Sequence, residues 1–211
     1  MQRIPARKLT RSSVKNIVRF PAIKSNGGKS ILVESILESE YCLHLEFDPK
    51  VVTYFPQPKT FSVPGQELSS RYTPDFEVHY LSGKCSYVEV KPLEKASRES
   101  YQDLFPRFGA TLVDTNYSFI TVDELQIRQQ PLLSNYGKLY QFRKRPTLDK
   151  RNLYTCSDLV NGKVPLSVLI SKLDSRATLR EIYSWLALGY LTFDIANNLL
   201  SMTTEVQFNV D

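Results

Sequence analysis

Tyr72-Thr-Pro-Asp75-Phe-Glu-Val-His-Tyr-Leu-Ser-Gly-Lys-Cys-Ser-Tyr-Val-Glu89-Val-Lys91-Pro92 is the stretch on which the fold turns. Two runs rich in β-branched and aromatic residues flank Ser82-Gly83, so the segment reads as a β-hairpin turning there. Side chains alternate faces along a strand, which puts Glu89 and Lys91 on one surface while Val88 and Val90 point to the other. Pro92 lacks an N–H for a central ladder and closes the second strand. A carboxylate able to hold a divalent cation and an ammonium beside it then share one surface, with a further acid, Asp75, at the start of the first strand.

On either side of the hairpin the pattern alternates helix and strand. Leu37, Tyr41 and Leu45 recur every four residues, which predicts a helix over Ile31 to Phe47, stopped by Asp48-Pro49. Val51 to Phe55 reads as a strand ended by Pro56-Gln57-Pro58, and Thr60 to Val63 as a short one. After the hairpin, Glu94 to Phe105 reads as a polar helix, and Ala110 to Val113 and Ser118 to Val122 as buried strands. Asp123 is placed to cap a helix through Ile127. These elements predict a three-layer α/β core with the hairpin strands in its middle. Tyr136 to Arg151 is a basic connector with Pro146 as a joint. Beyond it, Leu153 to Val160, Pro165 to Leu173 and Thr178 to Gly189 carry helical spacing, followed by strands at Tyr190 to Asp194 and Glu205 to Asn209. Three short helices with a β-wing predict a small winged-helix domain.

The chain has 211 residues, 42% hydrophobic and 11% aromatic, enough for one large domain with a smaller one. No apolar run reaches the ~20 residues of a membrane helix, and the N-terminus lacks the apolar core of a signal peptide, so a cytoplasmic protein with no membrane partner is expected. The three cysteines, Cys42, Cys85 and Cys156, are far apart and lack metal-finger spacing, which reads as reduced and structural. Net charge is +5, but eight of the 27 cations lie in the first 33 residues, a stretch without an acid, leaving 19 cations against 22 acids in the rest. Such an arm is either a solvated tail or a polyanion-binding segment in which Arg3, Arg7, Lys8, Arg11, Lys15 and Arg19 meet phosphates. Arg143, Lys144 and Arg145 in the connector read the same two ways. From Asn152 onward four cations face six acids, so the last stretch reads as a protein-docking module rather than a DNA reader.

Pro74-Asp75 followed by Glu89-Val90-Lys91 resembles the PD-(D/E)xK signature of restriction-endonuclease-like nucleases. Together with Ser35-Ile-Leu-Glu38, Leu45-Glu-Phe47-Asp-Pro49, Val51, Tyr54, Gln57-Pro58, Arg71-Tyr-Thr-Pro-Asp-Phe76 and Val88-Glu-Val-Lys-Pro92, it resembles the TnsA family, the endonuclease subunit of heteromeric cut-and-paste transposases. The motifs are dense from Ser35 to Pro92 and only general in shape beyond. The resemblance implies an α/β restriction-endonuclease-like core, a central mixed sheet flanked by helices, plus a small C-terminal winged-helix domain. The expected division is a basic arm over residues 1–30, an endonuclease domain over 31–145 and a winged-helix-like domain over 146–211.

Carried onto this sequence, the family's active site falls on Glu38, Asp75, Glu89 and Lys91, with Asp75, Glu89 and Glu38 as metal ligands. Oxygen donors of this kind suit Mg²⁺, with Mn²⁺ as its substitute. The ion would polarise the scissile phosphate and acidify a bound water, while Lys91 orients that water or steadies the developing charge. Gln57 belongs to the same pattern, as a DNA contact or a brace for the acids. Plainer readings stand beside these. Ser35-x-x-Glu38 is also a helix capping box, Asp75 a turn acid, Glu89 and Lys91 an ion pair on a solvated face, and Gln57 a polar strand end. His79 shares strand parity with Asp75, and His44 reads as helix surface. The implied partners are double-stranded DNA at transposon ends, the transposase TnsB and the AAA+ regulator TnsC, in the nucleoid of a bacterium. A stand-alone nuclease of the same fold and a non-catalytic adaptor are the competing expectations.

Overall fold

The computed structural model describes residues 5–6, 17–65 and 68–210. The chain divides into two compact units, Met1–Arg128 and Gln129–Asp211. Arg3, Arg7, Lys8, Arg11 and Lys15 lie outside the described residues.

The first unit is built on a four-stranded mixed sheet of order β3-β6-β7-β8, formed by Val51–Pro56, Phe76–Tyr80, Cys85–Val90 and Tyr117–Val122. The expected hairpin is β6-β7, it occupies the middle of the sheet, and Gly83 supplies the positive φ of its turn. β8 runs parallel to β7, which requires a crossover, provided here by α2 (Leu93–Ala96) and α3 (Glu99–Ala110). The expected strand over Ala110 to Val113 is instead the end of α3 and the turns after it. Thr111, Leu112 and Val113 each donate a backbone hydrogen bond three residues back, so the apolar run belongs to the helix end.

Strand alternation sorts the two faces. Phe76, Val78 and Val88 are fully buried on the side of α1 (Ile36–Phe47), where Tyr41 and Tyr54 meet the Phe76 ring. On the other side Tyr87 and Phe119 pack with Phe108 and Phe105 of α3 and with Phe61 and Tyr72 from the small hairpin β4-β5 (Phe61–Val63 and Ser70–Tyr72). Several of these rings meet edge to face at about 5 Å, a geometry worth roughly 0.5–1.5 kcal/mol per pair beyond the area buried.

The helix predicted from Ile31 starts later. Ile31–Val33 is strand β2, paired with β1 (Val18–Phe20), and Ser35 caps α1. Part of the stretch read as a free arm is therefore folded. Glu46, fully buried, accepts hydrogen bonds from the Ile23 and Lys24 amides and the Tyr54 hydroxyl, while the Lys24 ammonium binds the Leu45 and Asp48 carbonyls. Those interactions satisfy the last turn of α1. His44 is not free helix surface: its Nε2 lies 2.8 Å from the Ile127 carbonyl of α4 (Glu124–Ile127), whose cap is Asp123 as expected.

The second unit comprises α5 (Leu132–Lys144), α6 (Lys150–Ser157), α7 (Leu166–Leu173) and α8 (Leu179–Leu188). A three-stranded antiparallel sheet accompanies them, order β10-β11-β9, from Leu191–Thr192, Glu205–Phe208 and Val164–Pro165. Thr178 and Glu181 form a capping box at the start of α8, and Gly189 ends it with φ +84°. The core is Leu139, Leu153, Leu166, Leu169, Leu173, Ile182 and Trp185. Buried Asn135 is fully engaged, donating to the Ile195 and Asn198 carbonyls and accepting from the Leu200 amide.

The dividing line falls at Arg128/Gln129 and not at 145/146. The physical reason is α5: its Leu139 and Asn135 are buried in the second unit, and Arg143 donates to the Ala187 carbonyl at the end of α8. The basic stretch is thus a helix of the second unit and not a connector. Counted from Gln129, ten cations face seven acids, so this unit is net positive, against the acidic balance of the shorter stretch.

Candidate active site

The sheet ends its central hairpin on a cavity of about 950 Å³ lined by Glu38, Asp75, Glu89 and Lys91. Four positions read from the sequence on three separate elements are therefore brought together. Asp75 enters just before β6, Glu89 is the next-to-last residue of β7, Lys91 follows its end, and Glu38 stands in the first turn of α1.

Each carboxylate has fixed partners. Glu38 accepts at Oε1 from the Ser35 hydroxyl and at Oε2 from the Glu34 amide, and its own amide donates to Ser35. Its carboxylate supports the Ser35 cap of α1 and lines the cavity at once. Glu89, 2% exposed, accepts from the Tyr72 hydroxyl at Oε2, 2.7 Å away, and pairs with the Lys91 ammonium through Oε1. Asp75 accepts from the Val90 amide at Oδ2, 2.8 Å away. Among the described residues that is its one side-chain hydrogen bond, which leaves Oδ1 without a donor.

The electrostatics follow from crowding. Burial, then the charges of Glu89 and Glu38, push the Asp75 carboxyl well above its ordinary value, against the pull of Lys91 and the Val90 amide. Burial likewise raises Glu38, with Glu34 and Glu89 adding to it. Burial alone would lower Lys91, but the charge and hydrogen bond of Glu89, with Asp75 behind them, raise it above an ordinary ammonium. Burial and the neighbouring Glu89 keep the Tyr72 phenol protonated. Three acids share one cation, so negative charge is in surplus at this spot.

A divalent cation fits that surplus. The donors are all carboxylate oxygens, suited to Mg²⁺, and Asp75 has an oxygen to spare. Among the described residues, no three His, Cys, Asp or Glu side chains stand ready as they are to hold one ion. The Glu89 and Glu38 oxygens instead accept from Tyr72, Lys91, Ser35 and the Glu34 amide.

The cavity has further lining that strand parity did not single out. The Tyr101 ring of α3 lies under the Lys91 ammonium, 4.4 Å from centroid to nitrogen, and Arg71 and Lys95 add exposed cations at the wall. Tyr72, Tyr101 and Lys95 come from β5 and from α2-α3, so only folding sets them beside Glu89 and Lys91. Arg71 and Tyr72 stand inside the Arg71-to-Phe76 motif, and that adjacency was the one signal available.

Of the remaining expected contacts, Arg19 is exposed on β1, Lys144 and Arg145 are exposed at the end of α5, and Arg143 is half-buried on the Ala187 carbonyl. Gln57 is buried, 2% exposed, and does not present its amide to solvent as a DNA contact would. It braces Asp75 through the main chain: its N–H donates to the Asp75 carbonyl at 2.8 Å. Its φ is +46° and, among the described residues, neither polar atom of its side chain has a hydrogen-bond partner, an arrangement that costs free energy at a position beside the site. His79 lies away from the cavity lining, bonded to Glu77 and Cys85.

No protein-family model matches the chain, and no curated protein matches it. No helix among the described residues is long and apolar enough to cross a membrane.

Proposed function

We propose that this chain is a metal-dependent DNA endonuclease of the TnsA type, with a restriction-endonuclease-like core in its first unit and a winged-helix module in its second. On this reading it hydrolyses the 5′ strands at transposon ends, while TnsB cuts and joins the 3′ strands. The observation that carries the proposal is the meeting of Glu38, Asp75, Glu89 and Lys91 on one cavity at the end of the central hairpin.

Asp75, Glu89 and Glu38 would hold Mg²⁺, or Mn²⁺ in its place, and the ion would polarise a phosphoryl oxygen and acidify bound water. This chain's own groups do the rest. Lys91, fixed by Glu89 and seated on Tyr101, presents a positive charge to the phosphate and steadies the negative charge that grows there. Arg71 and Lys95 at the wall meet flanking phosphates. Tyr72 holds Glu89 in place by its hydroxyl, and the Val90 amide and the Gln57 backbone hold Asp75. In the second unit, exposed Lys144 and Arg145 supply phosphate contacts, and the regulator TnsC is the protein partner.

The test is strand-specific cutting of end-labelled transposon-end DNA by purified chain with transposase, regulator and Mg²⁺. The native chain is expected to cut the 5′ strands. Asp75→Ala and Lys91→Ala are expected to lose those cuts while 3′-strand cutting by the partner persists. Undiminished 5′ cutting by either variant would sink the assignment, and efficient cutting of plain plasmid by the chain alone would point to a stand-alone nuclease.

A further inference from the structure

A second constellation runs along the same two strands from Glu77 to the turn end, where His79 and Cys85 pair. Cys85 opens β7 and His79 is its register partner on β6, with Cys85 Sγ 3.4 Å from His79 Nδ1. The other ring nitrogen, Nε2, lies 2.6 Å from Glu77 Oε1, and the Tyr117 hydroxyl of β8 reaches the same oxygen at 3.4 Å. Thiol, imidazole and carboxylate thus form a line across the hairpin. The Phe55 ring of β3 meets the imidazole edge-on and fixes its plane.

This order has a chemical direction. Glu77, 3% exposed, takes an N–H from Nε2 in the tautomer that leaves Nδ1 as the acceptor facing the thiol. In this order the imidazole stands within reach of the thiol's proton, and the carboxylate orients the ring from behind. Among the described residues His79 of β6 and Tyr117 of β8 pair with Cys85 in register, with Glu77 behind the imidazole and Lys84 next in the chain. Cys42 and Cys156 are wholly buried in their packing, whereas Cys85 is partly exposed, so a small reagent reaches it.

We infer that Cys85 is an activated thiol, a modification site for small oxidants of the peroxide class, with His79 as its base and Glu77 as the residue that orients the base. The step balances without a further reactant. Cys85 sulfur attacks one oxygen of hydrogen peroxide, the S–O bond forms as the O–O bond breaks, and the departing hydroxide takes the thiol's proton from His79 to leave as water. The product is a sulfenic acid at Cys85.

The test exposes the full, folded chain to hydrogen peroxide at neutral pH, traps sulfenic acid with dimedone and quantifies each cysteine peptide by mass spectrometry. Cys85 is expected to react about tenfold or more faster than the same cysteine in the urea-unfolded chain, with Cys42 and Cys156 protected. His79→Gln is expected to bring Cys85 down to the unfolded rate or below, and Glu77→Gln to an intermediate one. A native rate no higher than the unfolded one, or a rate unchanged by His79→Gln in a chain shown to be folded by circular dichroism, would overturn the inference. Should the variants not fold, the native chain decides it by the pH profile of Cys85 alkylation with iodoacetamide. An inflection below the ordinary thiol value of about 8.5 supports the site, and one at or above that value refutes it.

Discussion

Asp75 and Glu77 stand two residues apart at the start of one strand, on the same face, and keep opposite electrostatic company. Glu77 accepts from His79 and Tyr117, donors of its own strand and of β8 in the same sheet. Asp75 faces Glu89 and Glu38 and shares one lysine with them, and the repulsion together with burial raises its carboxyl well above the ordinary range. A buried acid with its own donors is a structural or relay group. Acids crowded until they resist ionising are, on the proposed reading, the groups that would receive a cation.

The largest break in that comparison is chemical. Lys91→Ala is expected to lower 5′-strand cutting about 10³-fold, read by the end-labelled DNA assay, and to lower the melting temperature as well, because buried Glu89 loses its cation. Glu77→Ala, by contrast, leaves the fold's partners unpaired: it strips the acceptor from His79 and Tyr117 and is expected to cost about 2–3 kcal/mol in urea denaturation. Next in size, Asp75→Asn is expected to raise the melting temperature by about 2–4 °C at neutral pH in EDTA, because it removes a crowded charge. It should also abolish most of the stabilisation that Mg²⁺ gives the native chain.

The pH dependence follows with its sign. Carboxyls whose folded values are raised contribute stability below the ordinary carboxylate range, and that contribution fades as pH climbs through the raised values of Asp75 and Glu38. Without divalent cation the melting temperature should therefore fall from mildly acidic pH towards neutrality, and Mg²⁺ should flatten the fall. The smallest effect expected is that of Tyr101→Leu, which removes the ring under Lys91 at a cost of about 0.5–1 kcal/mol, or a two- to fivefold loss of cutting.

Legibility tracked the distance over which a signal acts. The helix cap at Asp123 and the helix end at Gly189 were readable because such groups lie within a turn of the positions they satisfy, whereas the Thr178 cap was read only as the start of helical spacing. Ile31 to Val33 was taken into the helix because its apolar residues extend the run of Leu37, Tyr41 and Leu45. Only its pairing with Val18 to Phe20 makes it a strand. The basic stretch around Arg143 resembled a linker in composition, and its membership of the second unit rests on Leu139 and Asn135 finding a core there.

The sequence by itself determined the hairpin and the shared surface of Glu89 and Lys91, since alternation along a strand is a local rule that needs no partner. Only the tertiary structure decided that Glu38 at once supports a helix cap and lines the cavity, that Tyr72 and Tyr101 hold Glu89 and Lys91, and that Gln57 is buried under strain behind Asp75. It likewise decided where along the hairpin unanswered acids gather and where a thiol, an imidazole and a carboxylate align. The physical reason is the same in each case: charge balance at a point depends on what distant elements bring there, and periodicity along one chain segment carries no record of it.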